Sequence, residues 1–274
     1  MALAPASLRT ASLRPASVPP ALRASAYFAL AYRRTWRASI AATFVNPLLY
    51  LLAMGVGLGS FVNKGGHSAS LGHLTYLHFV APALAAVAAA TTATGESMYP
   101  VLGAIRWQRS YHAMLATPLS VRDVVAGHMA WIAARIGMTT GSYLVVMAAF
   151  GATQSWWSIA VLPVGILTGM AFAAPLAAFA VRQESDNAFP LIFRLGLVPL
   201  FLFSGVFFPI GQLPSGVRWI AYVTPLWHGV DLSRQLSLGR VGVGSAAIHV
   251  LFLTALCGIG LAAGFRNYRV RLLQ

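Results

Sequence analysis

Three ionisable side chains fall inside long apolar runs: Glu96, Arg135 and Arg194. A charge in hydrocarbon is costly unless it faces protein or water, so such residues mark ion pairs, headgroup contacts or a transport path. Glu96 and Arg135 lie near the ends of their runs, where snorkelling to the nearby surface is the plainer account. Arg194 lies deeper and is the better candidate for an internal ion pair or a headgroup-attracting site. Other chemistries find little support. Seven histidines show no His-Glu-x-x-His or comparable spacing, so no metal site is expected. Gly141-Ser142 and Gly244-Ser245 lack the flanks of a serine nucleophile elbow. Glu184 and Asp186 form the one close acidic pair and read as a solvated loop. No catalytic residue is assigned. A phosphate loop of the form Gly-x-x-x-x-Gly-Lys-Ser/Thr is missing, and the lone lysine is Lys64. Any ATP dependence therefore requires a partner protein.

Two further segments carry information. Residues 101–119 mix Arg106, Trp107, Arg109, Tyr111, Met114 and Leu115 before Pro118 stops the helical pattern. Trp107, Tyr111 and Leu115 recur four apart, so a helix there presents them as one stripe. That stripe needs cover, from lipid headgroups or from the groove of a soluble partner, and composition leaves the two open. The second segment holds Phe207, Phe208 and Pro209, then Pro214, Trp219, Pro225, Trp227 and His228. Prolines break its helices, and aromatics gather as they do at membrane interfaces. Irregular backbone at membrane depth is tolerated only against protein or water. Two short helices folding back into the outer leaflet, as part of a gate, fit these residues; so does an ordinary aromatic-anchored loop. Asp231 and Arg234, three apart, read as a local helical pair.

The elements that must position these residues are membrane spans. The chain has 274 residues, 58% hydrophobic and 9% charged, with mean hydropathy +0.72. A soluble chain carries about 25% charge and about 45–50% apolar residues. A soluble enzyme and a disordered chain are excluded, and one cysteine, Cys257, excludes an internal disulfide framework. Spanning hydrocarbon takes about 20 apolar residues. Six runs qualify: roughly 40–62, 75–97, 124–150, 159–181, 188–210 and 243–265. Residues 1–22 read as a disordered cytoplasmic tail, and 23–39 as a basic amphipathic helix lying in the headgroup plane. The region 40–265 is then one six-span unit, with 211–242 as its broken outer segment and 266–274 as a short cytoplasmic tail. The net charge of +14 reflects topology rather than nucleic-acid binding. Thirteen basic residues fall on one side and four on the other, which places both termini in the cytoplasm.

At Tyr99-Pro100, the Trp107 to Pro118-Leu119 segment, the run Phe203-Ser204-Gly205-Val206-Phe207-Phe208-Pro209, Leu213-Pro214, and Pro225-Leu226-Trp227-His228 through Arg234, the chain resembles the type-2 ABC exporter permeases. The branch it is most similar to is that of the nodulation-factor and daunorubicin-type export permeases, over about residues 25–270. The resemblance implies an all-α membrane protein of six spans in the bacterial cell membrane. It implies a second permease copy and two copies of a separate ABC ATPase, which would bind ATP and magnesium; this chain would hold no cofactor. It also makes 101–119 the coupling segment and the stretch before the last span a pair of short re-entrant helices. An amphiphile, such as a drug, a lipid or a lipid-linked glycan, is the substrate class expected. A secondary transporter would need ion-coupling acids in mid-span, and none is found there. A membrane enzyme acting on lipid would need a polar catalytic cluster, for which Glu184 and Asp186 are the one candidate pair.

Overall fold

The computed structural model describes residues 19–64 and 74–273, and every regular element among them is helical. Most of the expected N-terminal tail lies outside the described residues. Helix α1, Pro20–Tyr32, is followed by a turn, and α2, Trp36–Tyr50, runs through a π-helical stretch, Leu51–Leu58, into α3, Gly59–Lys64. The expected interfacial helix 23–39 is therefore cut at Arg33–Thr35, and Trp36 and Arg37 open α2, the helix that leads into the first span. The apolar face of α1 is also partly covered by protein. Ala24 is buried against Gly127, where any Cβ would come within 2.6 Å of both the Ala21 carbonyl oxygen and the Ala24 Cβ. Phe28 stacks on His128 at 4.2 Å between ring centroids, and Tyr32 meets Trp131 at 5.4 Å.

Helix α4, Tyr76–Arg106, is the axis of the bundle. Its most apolar window is 67% buried, against 17% for the first and last spans, so those two leave most of their surface for lipid or another chain. Buried alanines, among them Ala81, Ala85, Ala86, Ala89 and Ala93, let neighbouring backbones approach closely, as small residues do between membrane helices. Around α4 pack α6, Val121–Ala149, and α7, Val161–Ala180, with a 3₁₀ turn, Trp156–Ala160, leading into α7. A capping box starts α6: the Asp123 N–H donates to Ser120 Oγ at 3.2 Å, and the Ser120 N–H donates to Asp123 Oδ2 at 2.9 Å. The last span, α12, covers Val243–Leu272. It continues through most of the expected 266–274 tail, because Tyr268 and Leu272 are buried in the bundle.

Among the described residues, five helices are long and apolar enough to cross a membrane. The expected span 188–210 is the exception. Its helix covers Phe189–Phe203, as α8, Phe189–Leu191, a π-helical stretch, Ile192–Leu197, and α9, Val198–Phe203. Fifteen helical residues reach about 22 Å at 1.5 Å each, short of the ~30 Å hydrocarbon core. The helix stops at Ser204, where Gly205 takes φ +73°, and the chain turns back. A 3₁₀ turn, Ile210–Gln212, then α10, Ser215–Val223, and α11, Pro225–Ser237, follow before the last span. Helix α11 sits among α4, α7 and α12, so its backbone is covered by protein.

Candidate functional site

At one end of the bundle, Arg109 adopts φ +50° and separates α4 from the six-residue α5, Ser110–Leu115. The expected stripe of Trp107, Tyr111 and Leu115 does not form an outward face. Trp107 lies in the turn before α5 and is 61% exposed, whereas Tyr111 is fully buried. The Tyr111 hydroxyl bonds to His128 Nδ1, and its ring lies 5.8 Å from that of Tyr268. Met114 is buried in the same cluster, and Leu115 packs against its edge. What faces outward is Arg106, Trp107, Gln108, Arg109 and His112. Arg106 is paired within the chain: it meets the Glu184 carboxylate, whose other oxygen takes Arg271 at 2.6 Å. Glu184 thus ties the α4–α5 corner to the loop after α7 and to the end of α12. Sequence reasoning placed Glu184 in a solvated loop, and its long-range partners left no local trace.

Inside the bundle, Arg135 Nε donates to Glu96 Oε1 at 2.9 Å, and its guanidinium lies 4.5 Å from the centre of the Tyr32 ring. The two charges compensate one another across α4 and α6 rather than snorkelling apart. Arg135 Nη1 is buried with no hydrogen-bond partner among the described residues. Arg135 borders a groove of about 400 Å³ between the first three spans. Thr43, Asn46, Tyr50, Thr91, Thr139 and Tyr143 give the groove polar groups, and Leu84, Val87 and Phe201 give it apolar wall. The sequence flagged Arg135, but periodicity could not show that these hydroxyls converge. Arg194 is exposed and forms no ion pair with another described residue, so the expected internal pair is not made.

At the opposite end, the aromatic and proline residues build the turn-back. Phe207 meets Phe201 edge-on at 4.9 Å, and Phe208 and Trp227 pack on a small core of Ile210, Leu213 and Ala221. Pro209 and Pro214 precede the 3₁₀ turn and α10, and Pro225 opens α11 after the capping residue Thr224. Trp219 is exposed on α10. Arg234 is not paired locally with Asp231. It donates to the Phe79 carbonyl at 3.0 Å and the Gly205 carbonyl at 2.8 Å, pinning the turn-back to α4. Asp231 instead faces His249 of α12 at 3.1 Å.

A family model described as ABC-2 type transporter matches residues 25–238. The chain belongs to the ABC-2 type transporter family. Among its relatives, Nodulation protein J of Rhizobium leguminosarum bv. trifolii is 36% identical over 212 residues, covering 77% of this chain and 78% of that protein. The counterpart from Rhizobium meliloti (strain 1021) is 33% identical over 230 residues, 83% of each chain. That from Bradyrhizobium diazoefficiens is 30% identical over 246 residues, 89% of this chain and 91% of the relative. The family match covers the 101–119 corner, the groove and the turn-back, so all three lie within the ABC-2 part of the chain. The resemblance drawn from the sequence is borne out, and with it a multi-pass, all-α membrane transport subunit.

Proposed function

We propose that this ABC-2 permease is the membrane half of an exporter that moves an amphiphile out of the cytoplasm or the inner leaflet, driven by a separate ATPase. The groove between the first three spans supports this reading. Its hydroxyls and the Arg135 side chain suit a polar headgroup, and its apolar wall suits a chain. The ATPase would bind ATP and magnesium and dock on the corner bearing Trp107, Arg109 and His112. Through Glu184, a push on Arg106 reaches Arg271 of the last span; through Tyr111 it reaches α6 and Tyr268. Two permease copies would meet through the sparsely buried first and last spans, opening a path between them. Exposed Arg194 is then left for a lipid headgroup.

The test is co-purification with an ABC ATPase, sought first in an adjacent reading frame, followed by amphiphile-stimulated ATP hydrolysis in liposomes. Two permease copies and two ATPase copies per particle are expected; an active particle with one permease would overturn the interface path. Orientation is tested separately. In a Cys257→Ala background, Trp156→Cys should react with an impermeant reagent in intact cells, and Val270→Cys only after permeabilisation. The reverse pattern would overturn the placement of the termini in the cytoplasm of a bacterial cell.

A further inference from the structure

Between α11 and α12, on the side of the bundle away from α5, lies a chain of polar groups that the transport reading does not use. His228 Nε2 is 3.0 Å from the Tyr222 carbonyl oxygen. His228 Nδ1 is 2.8 Å from His249 Nδ1. His249 Nε2 is 3.1 Å from Asp231 Oδ2, which also accepts from Gln235 Nε2 at 2.6 Å; that amide donates in turn to Ser245 Oγ at 2.9 Å. Both histidines are almost fully buried, against the rings of Trp227 and Phe252.

The hydrogen-bond chemistry fixes how many protons this chain holds. A carbonyl only accepts, so His228 Nε2 carries a hydrogen. Two ring nitrogens at 2.8 Å share one hydrogen, since two lone pairs or two N–H groups would repel. The contact between His249 Nε2 and the carboxylate needs a third. Two neutral rings and an ionised carboxylate supply only two. The third belongs to the trio however it is drawn, on either ring or on Asp231, and the trio is neutral overall. Of the other helices packed on α11, α4 brings Phe79 against Arg234 and α7 brings Thr168 against Gly229, neither ionisable, and Arg234 of α11 is engaged with the Phe79 and Gly205 carbonyls.

We propose that His228, His249 and Asp231 form a proton-binding site whose single extra proton ties the turn-back helix α11 to the last span. Losing the proton leaves lone pairs facing each other in one of the two gaps; gaining a second leaves two N–H groups facing. Either breaks a bond between α11 and α12. Asp231, with 31% of its side chain exposed, is where the proton exchanges with water. This site stands or falls independently of the exporter reading.

Asp231→Asn is the discriminating variant. Its amide nitrogen donates one hydrogen to His249 Nε2 and, once the Gln235 amide turns over to present its oxygen to Asn and to the Ser245 hydroxyl, the other to Gln235 Oε1, so two neutral rings satisfy every hydrogen bond with no extra proton. Unfolding of the full-length permease in lipid nanodiscs is measured from pH 5 to 9 for both proteins. Above about pH 6.5 separated histidines are neutral, so the folded wild type binds one proton more than the unfolded chain. Its stability should therefore fall with rising pH, by up to roughly tenfold in the folded-to-unfolded ratio per pH unit. The Asn variant should lack that alkaline limb. Below about pH 6.5 both unfolded chains take up protons on the two histidines, so both proteins should show an acid limb, steeper by one proton in the variant, whose folded state holds no extra proton. Identical alkaline limbs, or none in the wild type, would overturn the site. If the variant does not fold, nitrogen-15 spectra of the wild-type histidines at pH 8 decide. A doubly protonated ring, or a ring bonded to a protonated carboxyl, supports the site; two neutral rings beside an ionised Asp231 refute it.

Discussion

Trp107→Ala should weaken capture of the ATPase by roughly thirtyfold while leaving the amount of folded permease unchanged. The indole is the large aromatic exposed at the α4–α5 corner, flanked by Arg109 and His112. Aromatic anchors at interfaces cost about 2 kcal/mol or more when truncated, which at about 1.4 kcal/mol per tenfold gives that factor. Tyr111→Ala should behave in the opposite way. Its ring fills the space between α6 and α12, and emptying such a site costs about 3 kcal/mol or more. Membrane levels and melting temperature should fall, and the permease that does fold should capture nearly as much ATPase per copy. The assay is a pull-down normalised to folded permease. Undiminished capture by Trp107→Ala would show that the corner rests on lipid.

Glu96→Gln should destabilise the permease by about 3 kcal/mol, more than a hundredfold in the folded-to-unfolded ratio, because it leaves Arg135 charged and unpaired inside the bundle. The two side chains are 16% and 23% exposed, so solvent compensates little of the loss. The double variant Glu96→Gln, Arg135→Gln should recover most of it, since both charges then leave together. Thermal unfolding of the two single variants and the double variant closes a double-mutant cycle. Strictly additive losses would mean that the pair carries no coupling and that Arg135 is held by Tyr32 and the groove alone. Arg135→Gln should in addition lower amphiphile-stimulated ATP hydrolysis beyond its effect on stability, because Arg135 is the cation lining the groove.

The sequence by itself determined the class of protein and some of the places where its helices break. Hydropathy and charge are local properties, and lipid reads them residue by residue, so apolar runs and arginine-rich loops were legible. Proline and glycine act on their own backbone, which is why the 204–238 turn-back and the stop at Pro118 could be marked out. The short helix Phe189–Phe203 was overestimated for a related reason: the apolar run continues through Gly205 to Ile210, and hydropathy does not register where a helix has turned. Only the tertiary structure decided which apolar face points where. A period of four places Trp107, Tyr111 and Leu115 on one stripe in any continuous helix, but the left-handed Arg109 breaks that helix between the first two. The same holds for the polar contacts that matter most. Glu96 meets Arg135, Glu184 meets Arg271 and His228 meets His249 across 39, 87 and 21 residues of chain. Buried charges and rings need partners, but which partner arrives depends on how the helices cross, and no spacing within one helix encodes that.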